Sequence, residues 1–234
     1  VMCLVLVVIL TGQVKSAYLF TEEWVQSNFA YKVVYLFFVV QTKIVSCYAG
    51  FSSMEANFIA CGQSYKPAHE VKDKDGKVVK VVPEDFFAIN DPYLGLLDAG
   101  VLATAVAGWN VQVHNWLKYY IMLRLMDRSK PRGQLQVMPM ILTFVASAVW
   151  HGIEVGFFVM FMGLAFIDLI QGWREDLAGD WVLTNVPYRV YHPFLWLYQW
   201  FLGAYFTIAF ILLRFEKINH VHKNLYYSGH IVLI

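Results

Sequence analysis

The stretch "SAVWHGIEVGFF", residues 147–158, lies inside an apolar run that extends from about residue 135 to 172. One membrane span needs only about 20 residues, so this run is too long for a single straight helix. Trp150 through Gly156 form the natural break, and the sequence predicts two helices that meet there. His151 lies at this break. Placing an ionisable side chain inside the membrane costs free energy, so such a residue is treated first as a candidate functional residue.

The composition around this stretch is that of an integral membrane protein. Of the 234 residues, 59% are hydrophobic and 15% are charged, whereas soluble domains carry about 25% charged residues. The apolar runs are too long for the strands of an outer-membrane barrel. We therefore predict an all-α, polytopic transmembrane protein. Its net charge of +1 provides no field that would attract a nucleic acid.

The N-terminal region, residues 1–62, is predicted to consist of transmembrane helices. Apolar runs cover residues 1–11 and 31–51, and "TEEW" between them is typical of a helix start with Thr21 as its cap. The chain begins with Val1 directly in an apolar run that has no basic residues ahead of it. We therefore expect it to be the C-terminal part of a longer protein.

Polar residues mark both the second run and the region that follows it. Gln41 and Lys43 are expensive in lipid, so we expect them to face other protein or a cavity. Residues 63–93 are polar and of mixed charge, and their Asp75–Gly76 turn signal lies between β-prone residues. This region predicts an extramembrane loop that contains a small hairpin.

The C-terminal region, residues 94–234, is predicted to form the core of the protein. Residues 112–133 are amphipathic with a basic end, which favours a helix at the membrane interface. Residues 173–193 are predicted to return to the interface, and another span covers 194–213. Three later histidines have no carboxylate or cysteine at ligand spacing, so we interpret them as interface residues and predict no metal site. These are His220, His222 and His230.

Two polar clusters carry a resemblance, "WNVQVHNWLKYYIMLR" at 109–124 and "FVASAVWHG" at 144–152. Together they resemble the signature of the membrane-bound O-acyltransferase family, and more narrowly its lysophospholipid acyltransferase branch. The matching positions are Trp109, Asn110, Trp116, Leu117, Lys118, Ile121, Arg124, Thr143, Ser147, Ala148, Trp150, His151, Gly152, Gly156, Phe157 and Phe161. The sequence departs from the pattern at "YAGFSSME", which stands where the branch has a glycine-rich turn, and at Met122.

The resemblance implies a catalytic core at residues 94–234 that moves a fatty acyl group from acyl-CoA to the free hydroxyl of a lysophospholipid. His151 would be the general base, and Asn110 would assist by donating to the oxyanion or by orienting the nucleophile. It implies no cofactor beyond the co-substrate acyl-CoA. Membrane lipids and the two substrates are the implied partners, a membrane protein complex is possible, and the endoplasmic reticulum or another organelle membrane is the implied location.

The candidate substrate-binding residues each have a plainer structural alternative. They are Trp109, His114, Asn115, Trp116, Lys118, Arg124, Trp150 and Glu154. Asn110 could simply cap a helix, and Trp150 could pack against one. Glu154 would share a helical face with His151 only if the helix continues past the break; otherwise it is a solvated turn residue.

Three other functions stay open at this stage. An enzyme of this kind could acylate a sterol, a diacylglycerol or a protein serine. An inactive relative could serve as a structural subunit of a membrane complex. A transporter is less favoured, because no charged pathway is visible. For an active enzyme we expect Asn110 and His151 to face one internal cavity, reached by an open tunnel with walls from residues 94–108 and 140–165.

Overall fold

The computed structural model describes residues 13–74, 76–86, 108–129, 136–174 and 185–233. These residues are mostly helical, which confirms the all-α class. After a 3-10 helix at Ser16–Phe20, the helices are α1 (Glu22–Gln26), α2 (Phe29–Ala60), α3 (Val111–Leu117), α4 (Leu123–Leu125), α5 (Val137–His151), α6 (Val155–Arg174), α7 (Tyr188–Leu212), α8 (Phe215–Asn224) and α9 (Ser228–Leu233). The strands are β1 (His69–Lys72) and β2 (Val78–Val82).

Three helices in the described part of the chain are long and apolar enough to cross a membrane. They are Phe29–Ala60, Val155–Trp173 and Arg189–Leu212, within α2, α6 and α7. Helix α5 is also apolar but has 15 residues. The protein is therefore an integral membrane protein with several passes, as predicted. The expected span at residues 1–11 lies outside the described residues.

The N-terminal helices begin where the capping chemistry predicts. The Thr21 hydroxyl accepts a hydrogen bond from the Trp24 N–H at 3.3 Å and starts α1. Asn28 caps α2 in the same way, because its Oδ1 accepts from the Tyr31 N–H at 2.9 Å. Helix α2 continues nine residues beyond the predicted run, to Ala60.

The length of α2 bears on the expectation about its polar residues, which stays a prediction. Its 32 residues are about 48 Å long, whereas the hydrocarbon core is about 30 Å thick, so one end projects from the membrane. Lys43 is exposed and does not face protein within the described residues. With the projecting end at the C-terminus, Lys43 lies within snorkelling distance of the interface. Gln41 is half-buried, and its Nε2 has no hydrogen-bond partner among the described residues.

The predicted hairpin after α2 is confirmed. Strands β1 and β2 pair antiparallel, with His69 opposite Val82. Gly76 in the turn has a φ of 78°, which glycine adopts without steric cost. Ahead of the hairpin, the turn after α2 is fixed by a buried hydrogen bond from the Ser64 hydroxyl to the Glu55 carboxylate. The limits of the predicted region 63–93 stay a prediction.

A buried lysine joins the N-terminal helices to the C-terminal end of the chain. Lys32 is 4% exposed, and its Nζ donates to the carbonyl oxygen of Asn224 at 3.4 Å. The same ammonium lies 5.7 Å from the centre of the Trp24 ring and 5.9 Å from that of Tyr226. Two aromatic faces and a carbonyl thus replace the water that the charge loses on burial.

The predicted break in the long apolar run is confirmed. Helix α5 ends at His151 because Gly152 takes a φ of 141°, and the Gly152 N–H donates to the carbonyls of Ala148 and Val149. Helix α6 then begins at Val155.

The first turn of α6 is fastened to the end of α7. The Gly156 N–H donates to the Leu213 carbonyl at 2.8 Å. A Cβ on Gly156 would overlap the Ala209 carbonyl oxygen and the Leu213 backbone. The absence of a side chain is therefore what lets the two helices approach this closely.

Two predicted boundaries in the core were wrong. Helix α7 begins at Tyr188, six residues before the predicted span, and contains Pro193. Proline lacks an N–H, but helices in membranes tolerate it. The predicted interfacial helix at 112–133 is interrupted by a π-helical turn at Lys118–Met122; residues 130–135 lie outside the described part.

We predict that Gly156→Ala destabilises the protein by about 1–3 kcal/mol, because the new methyl group meets backbone that cannot move away easily. The matched control is Gly203→Ala in α7, where a Cβ would have no neighbour within 4 Å. That change should stabilise the helix by about 0.5–1 kcal/mol. Thermal unfolding in detergent, followed by tryptophan fluorescence, measures both. A Gly156→Ala midpoint at or above that of the control would contradict the packing argument.

Candidate active site

Four aromatic rings surround His151 at the end of α5. Phe157 and Phe161 lie one turn apart on α6, with ring centres 5.7 and 5.1 Å from the imidazole. Phe210 of α7 adds an edge contact at 5.2 Å, and the neighbouring Trp150 lies at 4.7 Å. We call Phe157, Phe161 and Phe210 the aromatic cage.

The aromatic cage orients the imidazole without occupying its nitrogens. Phe161 stacks on the ring at 27°, whereas Phe210 meets it at 83°. His151 is half-buried, and neither ring nitrogen makes a hydrogen bond within the described residues. Polar groups buried in proteins are normally paired. A half-buried imidazole that is fixed by carbon contacts alone is therefore available to a ligand.

Asn110 caps a helix, the structural role that the sequence left open, but it uses only its side-chain oxygen to do so. It caps α3, because its Oδ1 accepts from the Val113 N–H at 3.3 Å. Its backbone carbonyl accepts from the His114 N–H at 2.8 Å. Within the described residues no acceptor binds the Asn110 Nδ2. The two amide hydrogens can therefore serve a ligand while the cap remains intact.

Trp109 anchors this segment to α2. Its ring makes edge contacts with Tyr48 at 5.1 Å and with Phe51 at 5.4 Å. These contacts give Trp109 a packing role, and its predicted role in substrate binding stays a prediction.

The two motifs lie on neighbouring helices that are tied together at one end. The Asp127 N–H donates to Gln136 Oε1 at 2.8 Å, and Gln136 Nε2 donates to the Asp127 carbonyl at 3.0 Å. From this joint, α3 with its π-helical turn and α5 pack against each other. Both segments are about 15 residues long. Such a hairpin is the arrangement that a shared site for Asn110 and His151 requires; their common cavity stays a prediction.

The remaining candidates differ in burial. His114 and Asn115 are half-buried, whereas Trp116, Lys118 and Arg124 are exposed. The Arg124 guanidinium lies 5.4 Å from the centre of the Tyr120 ring.

The positions of two candidates next to His151, Trp150 and Glu154, are explained by where α5 ends. Trp150 contacts the imidazole but is 53% exposed. Glu154 is exposed and lies beyond the end of α5, where its carbonyl accepts from the Phe157 N–H. Because the helix does not continue, Glu154 does not share a helical face with His151, and the turn interpretation applies. Binding by either residue stays a prediction.

Sequence reasoning missed the aromatic cage. Phe157 and Phe161 were matched as motif positions only, although phenylalanines spaced by four residues directly after a histidine could have suggested it. Phe210 gave no such signal. It follows His151 by 59 positions in the chain, and its contact with the imidazole depends on how α7 packs against α6.

The chain is similar in sequence to known membrane-bound acyltransferases. Residues 102–208 match the sequence model of the membrane-bound O-acyltransferase family. The chain is 28% identical over 136 residues to the lysophospholipid acyltransferase of Schizosaccharomyces pombe, covering 56% of this chain and 26% of that one. The Saccharomyces cerevisiae lysophospholipid acyltransferase is 23% identical over 212 residues, which cover 88% of this chain and 32% of the yeast protein. Human lysophospholipid acyltransferase 5 is 23% identical over 238 residues, which cover 97% of this chain and 45% of the human protein.

The matched segment contains both Asn110 and His151, and over this segment the chain is similar to the membrane-bound O-acyltransferase family. The relatives named here are lysophospholipid acyltransferases, the branch that its sequence motifs resemble. The chain spans between 26% and 45% of the length of these three curated relatives.

We predict that Phe210→Ala exposes His151 to reagents. Removing the ring opens one wall of the aromatic cage, so diethylpyrocarbonate should modify His151 several-fold faster than in the unaltered protein. His220 is half-buried but lies outside the cage, and it should react at an unchanged rate. Peptide mass spectrometry measures both histidines in one sample. Equal acceleration at both would indicate general unfolding, and no acceleration at His151 would mean that Phe210 does not shield it.

Proposed function

We propose that this chain carries the catalytic histidine of an acyl-CoA-dependent lysophospholipid O-acyltransferase. The observation that carries the proposal is the imidazole of His151, held by carbon contacts with both nitrogens unpartnered among the described residues, inside the family-matched segment. The relatives are named for acyl transfer to lysophospholipids. The endoplasmic reticulum or another organelle membrane is the proposed location.

The proposed reaction balances with the two substrates alone. The lysophospholipid hydroxyl oxygen attacks the thioester carbonyl carbon while a His151 ring nitrogen takes the hydroxyl proton. The new C–O bond forms, the C–S bond breaks, and the imidazolium returns the proton to the coenzyme A thiolate. A neutral imidazole can act first as base and then as acid, so no further cofactor enters the step.

Asn110 has the free group that the transition state needs. As the carbonyl becomes tetrahedral, negative charge develops on its oxygen, and the Asn110 Nδ2 can donate to it. A donor of this kind is worth about 3 kcal/mol in a desolvated site. The hairpin joined at Asp127 and Gln136 supports this role, because it carries Asn110 and His151 on neighbouring helical segments that pack against each other.

The cationic side chains of the motif suit the donor substrate. Lys118 and Arg124 are exposed, and guanidinium and ammonium groups pair with phosphates such as those of coenzyme A. Arg124 lies toward the joined end of the hairpin, away from His151, and Lys118 lies midway along its segment. This arrangement supports a donor that binds by its phosphates at one level and reacts at another.

The capping bond of Asn110 also favours a second candidate function. A relative that had lost catalysis would keep Asn110 for the cap alone and could serve as a structural subunit of a membrane complex. Acylation of another alcohol is a third possibility. The following two experiments separate these readings.

We predict that His151→Ala lowers acyl transfer by about 10²–10⁴-fold, the usual contribution of a positioned general base. The full-length protein is expressed in membranes that lack a competing activity, and transfer of radiolabelled oleoyl from coenzyme A to lysophosphatidylcholine and lysophosphatidylinositol is measured. The control, His220→Ala, removes a half-buried histidine outside the cage and should retain activity.

Comparable turnover by His151→Ala and the unaltered protein would show that another group is the base. Absence of transfer to any lysophospholipid by the unaltered protein would favour the structural subunit, or another acceptor alcohol if a sterol or diacylglycerol is acylated.

We predict that Asn110→Ser separates the two uses of the amide. Serine caps helices about as well as asparagine, whereas alanine costs about 1 kcal/mol at this position. Asn110→Ser should therefore keep the thermal stability of the protein but lose about 10²–10³-fold in kcat, the cost of removing one oxyanion donor. Asn110→Ala should lose both. If Asn110→Ser kept full activity, the cap would be the only role of Asn110.

A further inference from the structure

A pocket lies in the C-terminal helices. Its volume is about 350 Å³, within the usual range for a small-molecule site. We call it the C-terminal pocket. Its lining residues are Val159, Phe215, Ile218, Asn219, His222, Tyr227 and His230. All but Val159 lie outside the segment that matches the family.

The C-terminal pocket is separate from the aromatic cage. Phe157 and Phe161 share one face of α6, and Val159 lies midway between them in the sequence. At about 100° per residue, Val159 points about 160° away from both. The pocket and His151 therefore lie on opposite sides of α6, near the same end of that helix.

Two side chains offer hydrogen-bond donors to the C-terminal pocket. The Tyr227 hydroxyl donates to Asn219 Oδ1 at 2.6 Å, which leaves the two Nδ2 hydrogens of Asn219 for a ligand. The Tyr205 hydroxyl lies 2.8 Å from His230 Nδ1. A neutral imidazole that accepts this hydroxyl at Nδ1 carries its own hydrogen on Nε2.

His222 offers a hydrogen-bond acceptor to the C-terminal pocket. Its Nε2 lies 3.0 Å from the Tyr205 carbonyl, which can only accept, so Nε2 carries the hydrogen. The ring is 3% exposed and stacks on Tyr205 at 4.1 Å. Burial lowers the pKa of His222 to about 4, so the imidazole is neutral at pH 7 and its Nδ1 is an acceptor. The pocket can thus bind a group that both donates and accepts.

Helix α8 places the C-terminal pocket at the level of lipid headgroups. The helix follows directly after the end of the spanning helix α7, and its outer face carries the exposed Glu216, Lys217 and Lys223. Arg214 precedes it and is also exposed. An amphipathic helix with a basic polar face lies in the membrane interface and attracts anionic lipids.

The backbone around the C-terminal pocket is strained. In the described residues the non-glycine residues with positive φ are Leu213, Tyr226 and Tyr227. Tyr227 lines the pocket, and its φ is 50°. A left-handed conformation costs free energy in such residues, and strain of this kind clusters at ligand sites.

We propose that the C-terminal pocket binds the head of an anionic glycerophospholipid that carries a free hydroxyl. Asn219 and His230 donate to its phosphate or ester oxygens, and the head hydroxyl donates to His222 Nδ1. Val159, Phe215 and Ile218 contact the beginning of the acyl chains. Such a lipid would be a resident of the surrounding membrane, bound apart from the reacting centre.

The test uses the full-length protein in nanodiscs of phosphatidylcholine that contain a small fraction of photoactivatable phosphatidylinositol. After illumination, labelled peptides are mapped by mass spectrometry. Labelling should concentrate in residues 215–230, and unlabelled phosphatidylinositol or phosphatidylglycerol should compete for it. Added phosphatidylcholine should compete much less. Equal competition by phosphatidylcholine, or labelling spread evenly over the spans, would overturn the proposal.

Two variants test the lining of the pocket. Asn219→Leu removes the amide donors at similar volume, and Val159→Phe narrows the pocket from α6. Each should reduce labelling of residues 215–230 several-fold while the thermal midpoint stays near that of the unaltered protein. Val232→Phe, at an exposed valine of α9 outside the pocket, is the matched control for Val159→Phe and should keep the labelling. If the control lost as much as the pocket variants, the loss would not depend on the pocket lining and the proposal would be wrong; it would also be wrong if either folded pocket variant labelled normally.

Discussion

The hydrogen bond from the Gly156 N–H to the Leu213 carbonyl holds together everything that surrounds the candidate site. The first N–H groups of a helix and the carbonyls past its last turn have no partner within their own helix. In a membrane such groups must find a partner in protein, because lipid provides none. Here the start of α6 and the end of α7 satisfy each other at 2.8 Å, and only glycine leaves room for the contact.

The consequences of this contact extend in two directions along α6. On one side Phe157 and Phe161 meet Phe210 around the imidazole of His151. On the other side Val159 faces the C-terminal pocket, whose remaining walls come from the chain just beyond Leu213. A shift between the two helices would alter both sites together. Gly156 is thus a family-motif position whose importance is explained by backbone packing, without any contact with substrate.

The features that the sequence predicted are those that local chemistry determines. The helix starts at Thr21, the hairpin after α2 and the break at His151 each depend on residues close together in the chain. Phe210 and the buried His222 depend on contacts between helices that are distant in sequence. The interpretation of His222 as an interface residue stays a prediction, but its burial against Tyr205 could not be read from its spacing, which resembles that of the more accessible His220.

The level of His151 follows from the same geometry. Helix α5 is about 22 Å long at about 1.5 Å per residue, so His151 lies that far from the joint between Gln136 and Asp127. The basic side chains Arg124 and Arg128 lie near the joint, whereas the polar helix α8 begins close to the His151 end. A charged helix cannot lie in hydrocarbon, so the His151 end is near one membrane face and the basic end is near the other. Under the proposed function, acyl-CoA held by its phosphates at the basic end would have to bring its reactive carbonyl across this distance, and an extended, thioester-linked carrier is long enough to do so.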